Sequence, residues 1–120
     1  MTYEEFKAIA LSFPGVEEGK SYGKPAFLVS GKFLTRVRPS DKAAVFTGVH
    51  FDEREMLMEC EPQTFFFVAH YKDYPAVLAR LATLHPGSCR NFIERRWREI
   101  APKKLVKAYD QERDSAAVGS

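Results

Sequence analysis

At 120 residues, with 45% hydrophobic and 28% charged residues, the chain fits one globular domain able to bury a core without disulfide staples. A formal net charge of +2 excludes a polycation, and ten Phe, five Tyr and one Trp exclude a disordered chain. No apolar run approaches the ~20 residues that span a bilayer, and no basic leader precedes an apolar stretch, so a cytoplasmic protein without membrane association is expected.

The first helix is signalled by Thr2 and Glu5 at capping-box spacing, followed by Phe6, Ile9, Ala10 and Phe13 at helical intervals. Pro14-Gly15 closes it, and the polar, Gly-containing stretch 16–24 reads as an extended connection. Three short strands are predicted next: Ala26–Ser30, Lys32–Arg38 after a turn at Gly31, and Ala43–Thr47 after Pro39-Ser40-Asp41. Strict alternation along 32–38 puts Phe33, Thr35 and Val37 on one face and Lys32, Leu34, Arg36 and Arg38 on the other.

A second helix is expected from Asp52, capped through Glu55, with Phe51 stapled to Met56 and a buried side continuing through Leu57 and Cys60 to Glu61-Pro62. Thr64–Val68 is an aromatic, β-prone run. The loop 70–75 then leads to a segment at 76–82, whose Ala and Leu content leaves strand and helix in competition. The last long helix spans Pro86–Ile100, with Cys89, Phe92, Ile93, Trp97 and Ile100 in one stripe. Arg90, Glu94 and Arg98 share its polar side, while Arg96 intrudes on the apolar arc as a snorkelling or paired arginine. Lys103–Val106 adds a further turn. The domain is drawn at 1–108, with 109–120 as a flexible tail.

The element order predicts an α+β fold: two layers, α-β(3)-α-β(2)-α, with an antiparallel sheet covered by helices on one face. Ser21-Tyr22-Gly23-Lys24-Pro25-Ala26-Phe27, Gly31-Lys32-Phe33 with Arg36 and Arg38, His70-Tyr71-Lys72-Asp73-Tyr74-Pro75, Trp97-Arg98 and Ala101-Pro102-Lys103-Lys104-Leu105 together resemble the MmcQ/YjbR family of small bacterial proteins, across roughly residues 3–107. The resemblance implies the same α-β(3)-α-β(2)-α order, with a strand at 76–82. Members are commonly labelled DNA-binding-like, with a double-wing fold, and no family catalytic residue carries over.

Chemistry-bearing patterns are few. His50, His70 and His85 stand apart without a second ligand at metal-binding spacing, Cys60 and Cys89 read as reduced, buried thiols, and no phosphate-binding Gly loop occurs. No catalytic, metal or cofactor site is therefore expected, and the residues favour a binding module over an enzyme. Two groups are its candidates. Lys32, Arg36 and Arg38 of the strand, with Arg95, Arg98, Lys103 and Lys104 near the C-terminus, form a candidate nucleic-acid surface, with DNA as the favoured partner. Placing Phe33 on the opposite side weakens single-strand binding more than duplex binding. Ser21, Tyr22, His70, Tyr71 and Tyr74 form a candidate polar-aromatic pocket for a small molecule, with protein interaction as a further alternative. A monomer is expected rather than an obligate oligomer.

Overall fold

A computed structural model describes the backbone of residues 1–119 and the side chains of residues 1–115. The helices are α1 (Tyr3–Leu11), α2 (Phe51–Cys60), α3 (Pro86–Ile100) and α4 (Lys103–Gly119). The strands are β1 (Val16–Ser21), β2 (Lys24–Val29), β3 (Lys32–Arg38), β4 (Ala43–Thr47), β5 (Phe65–Phe66) and β6 (Ala76–Arg80). They form one antiparallel sheet in the order β1-β2-β3-β4-β6-β5. The α+β class and the helix-covered face are as the sequence predicts.

α1 begins with the full capping box: the Glu5 amide donates to Thr2 Oγ1 at 3.1 Å while the Glu5 carboxylate accepts from the Thr2 amide at 3.4 Å. Its Phe6 and Ala10 join Trp97, Phe92 and Ile93 of α3 over Phe27, Phe46 and Val77 of the sheet. Trp97 is fully buried, and its indole N–H donates to the Pro14 carbonyl at 2.9 Å, tying α3 to the end of α1. Leu57 and Met58 of α2 pack against this same core, as do Leu105, Val106 and Tyr109 of α4. The opposite sheet face carries a smaller cluster, Ala43, Val45 and Leu78, over which Phe66, Val68 and Tyr71 fold.

The structure departs from the sequence reading in several places. The connection at 16–21 is an edge strand, joined to β2 by the two-residue turn Tyr22-Gly23. Its Glu17, Glu18 and Lys20 are exposed, the charge pattern of a protected sheet edge, which hides its β-character from a propensity reading. The 76–82 ambiguity resolves to a strand, and the aromatic run at 64–68 keeps only Phe65–Phe66 in the sheet. α2 is preceded by His50 rather than Asp52, with no side-chain capping hydrogen bond, and Phe51, Met56 and Cys60 are exposed rather than buried. Cys89 is the buried thiol, and burial pushes its pKa up to about 12.

The largest difference lies past residue 102. One helix runs through the segment assigned to a tail, and ion pairs hold it to α3. Arg98 donates to both Asp110 oxygens at 2.8 and 3.2 Å and to Glu94 at 3.2 Å. Tyr109 and Arg113 reach the same Glu94 at 3.0 and 3.4 Å. On the other side of α3, Arg95 makes a bidentate pair with Glu53 of α2 at 2.8 and 2.9 Å.

The hydrogen bond from Arg98 holds the Asp110 carboxyl below its ordinary 3.8, and that from Arg95 holds Glu53 below its ordinary 4.5. Groups lowered by folding contribute stability that is complete above those ordinary values and is lost as pH falls through the lowered ones. Acidification below about pH 4 is therefore expected to loosen α4 before the core melts. Far-ultraviolet dichroism should lose part of its helix signal together with a shift in Trp97 emission, because Tyr109 of α4 packs 5.0 Å from the Trp97 ring, and Asp110→Asn should remove the Asp110 part of this pH dependence.

Candidate functional site

The two hairpin turns Tyr22-Gly23 and Ser30-Gly31 both have positive φ at each central residue, the signature of a type I′ turn. Between β2 and β3 the register jumps from Phe27↔Thr35 to Leu28↔Phe33, leaving Leu34 as an extra residue. Leu34 and Thr35 are both buried, so side-chain alternation shifts by one at this bulge. Lys32 pairs with Val29, a core residue, and therefore stands on the helix-covered side of the sheet. Phe33 instead shares the opposite face with Arg36 and Arg38. The predicted grouping of Lys32 with Arg36 and Arg38, and the exclusion of Phe33, are both overturned.

On that open face, Arg36, Val45, Leu78 and Phe66 form one row across the strands, and Arg38, Ala43 and Arg80 the next. Turns and loops rise around these rows. The result is a groove of about 2000 Å³. Ser21, Tyr22, His70, Tyr71 and Tyr74, the five pocket candidates, all line it, together with Phe33, Arg36 and Arg38. The structure thus merges the polar-aromatic group with two of the three basic hairpin residues. Lys24, Lys42 and Arg80 add positive charge, and Asp41 is the acid among the lining residues.

The cations differ in how they are held. Arg38 lies 3.6 Å from Asp41. Arg80 sits over the Phe66 ring at 4.1 Å and donates to the Gln63 carbonyl at 3.3 Å. Arg36, only 8% exposed, has no hydrogen bond, ion pair or aromatic partner among the described residues. Its nitrogens are not among the sealed, partnerless polar atoms, which are Asp41 Oδ1, Thr47 Oγ1 and Arg96 Nε, so the guanidinium keeps contact with solvent in the groove. Arg95, Arg98, Lys103 and Lys104 do not line the groove, and Arg95 and Arg98 are engaged by carboxylates.

One wall depends on a residue that the sequence reading missed. Arg54 of α2 is 6% exposed, and its guanidinium donates to the carbonyls of Tyr71, Tyr74 and Ala76 at 3.0, 3.2 and 3.2 Å and of Lys72 at 2.9 Å. The rings of Phe51 and Phe67 lie 4.9 and 4.3 Å from it. This cation organises the 3-10 turn at Ala69–Tyr71 and the bends after it, which carry His70, Tyr71 and Tyr74. His70 packs edge-on to Tyr71 and parallel to Tyr74, with centroids 4.7 and 6.3 Å apart, and makes no side-chain hydrogen bond among the described residues.

A smaller hollow of about 360 Å³ opens beside Tyr71 and Tyr74, bounded by Thr47, Gly48, Arg96 and Glu99. Arg96 donates to Glu99 at 3.1 Å, so the arginine that interrupts the apolar arc is a paired one. Gly48, at φ +76, is required here: an added Cβ would stand 3.0 Å from the Glu99 carboxylate. His85 accepts from the Gly87 amide at 2.9 Å as the N-cap of α3. No group of three or more metal-ligating side chains occurs among the described residues, and among them no helix is long and apolar enough to cross a membrane.

No protein-family model matches the chain, and no solved structure matches it. Uncharacterised proteins of Mycobacterium tuberculosis and Mycobacterium bovis are similar to it, at 33% identity over 79 residues covering 63% of this chain and 61% of each relative. The chain thus spans under two thirds of the relatives' length, and their names assign no activity.

Removing the Arg54 guanidinium would strand several buried carbonyls. Arg54→Ala is expected to lower unfolding stability by about 3 kcal/mol in urea titrations. Arg54→Lys should recover less than half of the loss, because a point-like ammonium cannot span the same acceptors as a planar fork.

Proposed function

We propose that the chain is a binding module that engages nucleic acid along the open face of its sheet. The carrying observation is Arg36, a buried guanidinium without a partner among the described residues, on the floor of a groove with Lys24, Arg38, Lys42 and Arg80 around it. Its contact with water is confined to the groove, and an anion bound there would supply the partner that the described residues do not. Phosphates fit the planar donor fork of arginine.

The size of the groove favours a polymer. Sites for small molecules usually enclose about 300–1,000 Å³ and bury most of the ligand, whereas this groove is larger and open along one side. The resemblance to MmcQ/YjbR proteins, with their DNA-binding-like label, points to the same class of partner. The alternative, a small ligand near His70, would occupy one end of this same groove, where His70 packs against Tyr71 and Tyr74 and makes no side-chain hydrogen bond among the described residues.

Arg36→Met separates function from stability. Replacing an unpaired buried cation by a hydrophobe should leave the urea midpoint unchanged or raised. Affinity for a labelled oligonucleotide at low salt should fall about 10-fold, and the slope of log affinity against log salt should drop by about 1. A destabilised variant with unchanged binding would contradict the proposal.

A further inference from the structure

Resting on the nucleic-acid reading of this face, we propose that the ligand is single-stranded and that Tyr22 stacks on one of its bases. Three observations carry this. First, the Leu34 bulge places Phe33 on the same face as Arg36 and Arg38, so an aromatic ring accompanies the phosphate-binding cations. Alternating aromatic and cationic groups are what a flexible strand uses, bases on rings and phosphates on arginines.

Second, Tyr22 is 101% exposed and sits at φ 51 in the first central position of its type I′ turn. Asn, Asp or Gly suit that position, whereas a tyrosine there pays roughly 1 kcal/mol of backbone strain and buries nothing in return. A strained, fully exposed aromatic at the rim of a cationic groove is explained by a partner that covers it. Tyr74, 60% exposed and parallel to His70, offers a second ring from the opposite wall.

Third, the shape selects against a duplex. Proteins that read double-stranded DNA push a convex helix or ribbon into a groove of the DNA. Here the key cation lies at the bottom of a depression in the protein, where a strand with splayed bases can enter and a stacked duplex cannot.

The test compares labelled oligothymidylate with a labelled duplex at low salt, using the full chain and Tyr22→Asn. Asn is favoured at this turn position, so the variant should unfold at the same or a higher temperature than the parent, which guards against a folding artefact. Expected are tighter binding of the single strand than of the duplex, and a roughly 5- to 150-fold weaker single-strand affinity in Tyr22→Asn. Equal or tighter duplex binding, or unchanged affinity in Tyr22→Asn, would overturn the single-strand proposal while leaving the nucleic-acid reading in place. Binding of neither probe would overturn both.

Discussion

The guanidinium of Arg54 fixes the geometry on which the open face depends. Segment 67–76 crosses from the short edge strand back to β6, and its carbonyls at Tyr71, Lys72, Tyr74 and Ala76 turn inward, away from water. Buried carbonyls without donors would drive such a loop outward. With Arg54 beneath it, the loop instead folds over Val45 and Leu78 through Val68 and Tyr71, and its remaining rings form a wall. The sheet then has one face closed by helices and one face half-closed by a loop. The uncovered half is the groove.

Charge is distributed to match. The cations of α3 are engaged in the architecture: Arg95 joins α2, and Arg98 joins α4. Those of the sheet are less fully paired, and Arg36 has no partner among the described residues. The two cationic segments of the sequence therefore do not merge into one surface. In the C-terminal one the α3 arginines support the fold while Lys103 and Lys104 are exposed away from the groove, and the sheet segment supplies the proposed site, a division consistent with stability being given up where binding requires it.

Long-period patterns were legible in the sequence. The capping box of α1 and the Cys89–Phe92–Ile93–Trp97–Ile100 stripe of α3 are repeated signals along one element, and both appear in the structure. What escaped depends on single residues or on tertiary contact. The Leu34 bulge contains no glycine and leaves no local mark, yet it exchanges the faces of Lys32 and Phe33. Arg54 occupies a helix position that any amphipathic reading gives to solvent, because its acceptors are 17 to 22 residues away. Strand β1 carries the charges of a protected edge and so resembles a loop. The five pocket residues were found as a group because strand ends and turns concentrate exposed polar aromatics. Their union with Arg36 required the three-dimensional sheet.

A chemical-shift map of the isotopically labelled chain, titrated with oligothymidylate, tests the central claim most directly. The account predicts perturbations concentrated at Tyr22–Lys24, Phe33, Arg36 and Arg38, and the 69–74 segment, with the outer surfaces of α3 and α4 silent. Perturbations centred on Lys103, Lys104 and the α3 surface, with Arg36 and Tyr22 unmoved, would contradict it.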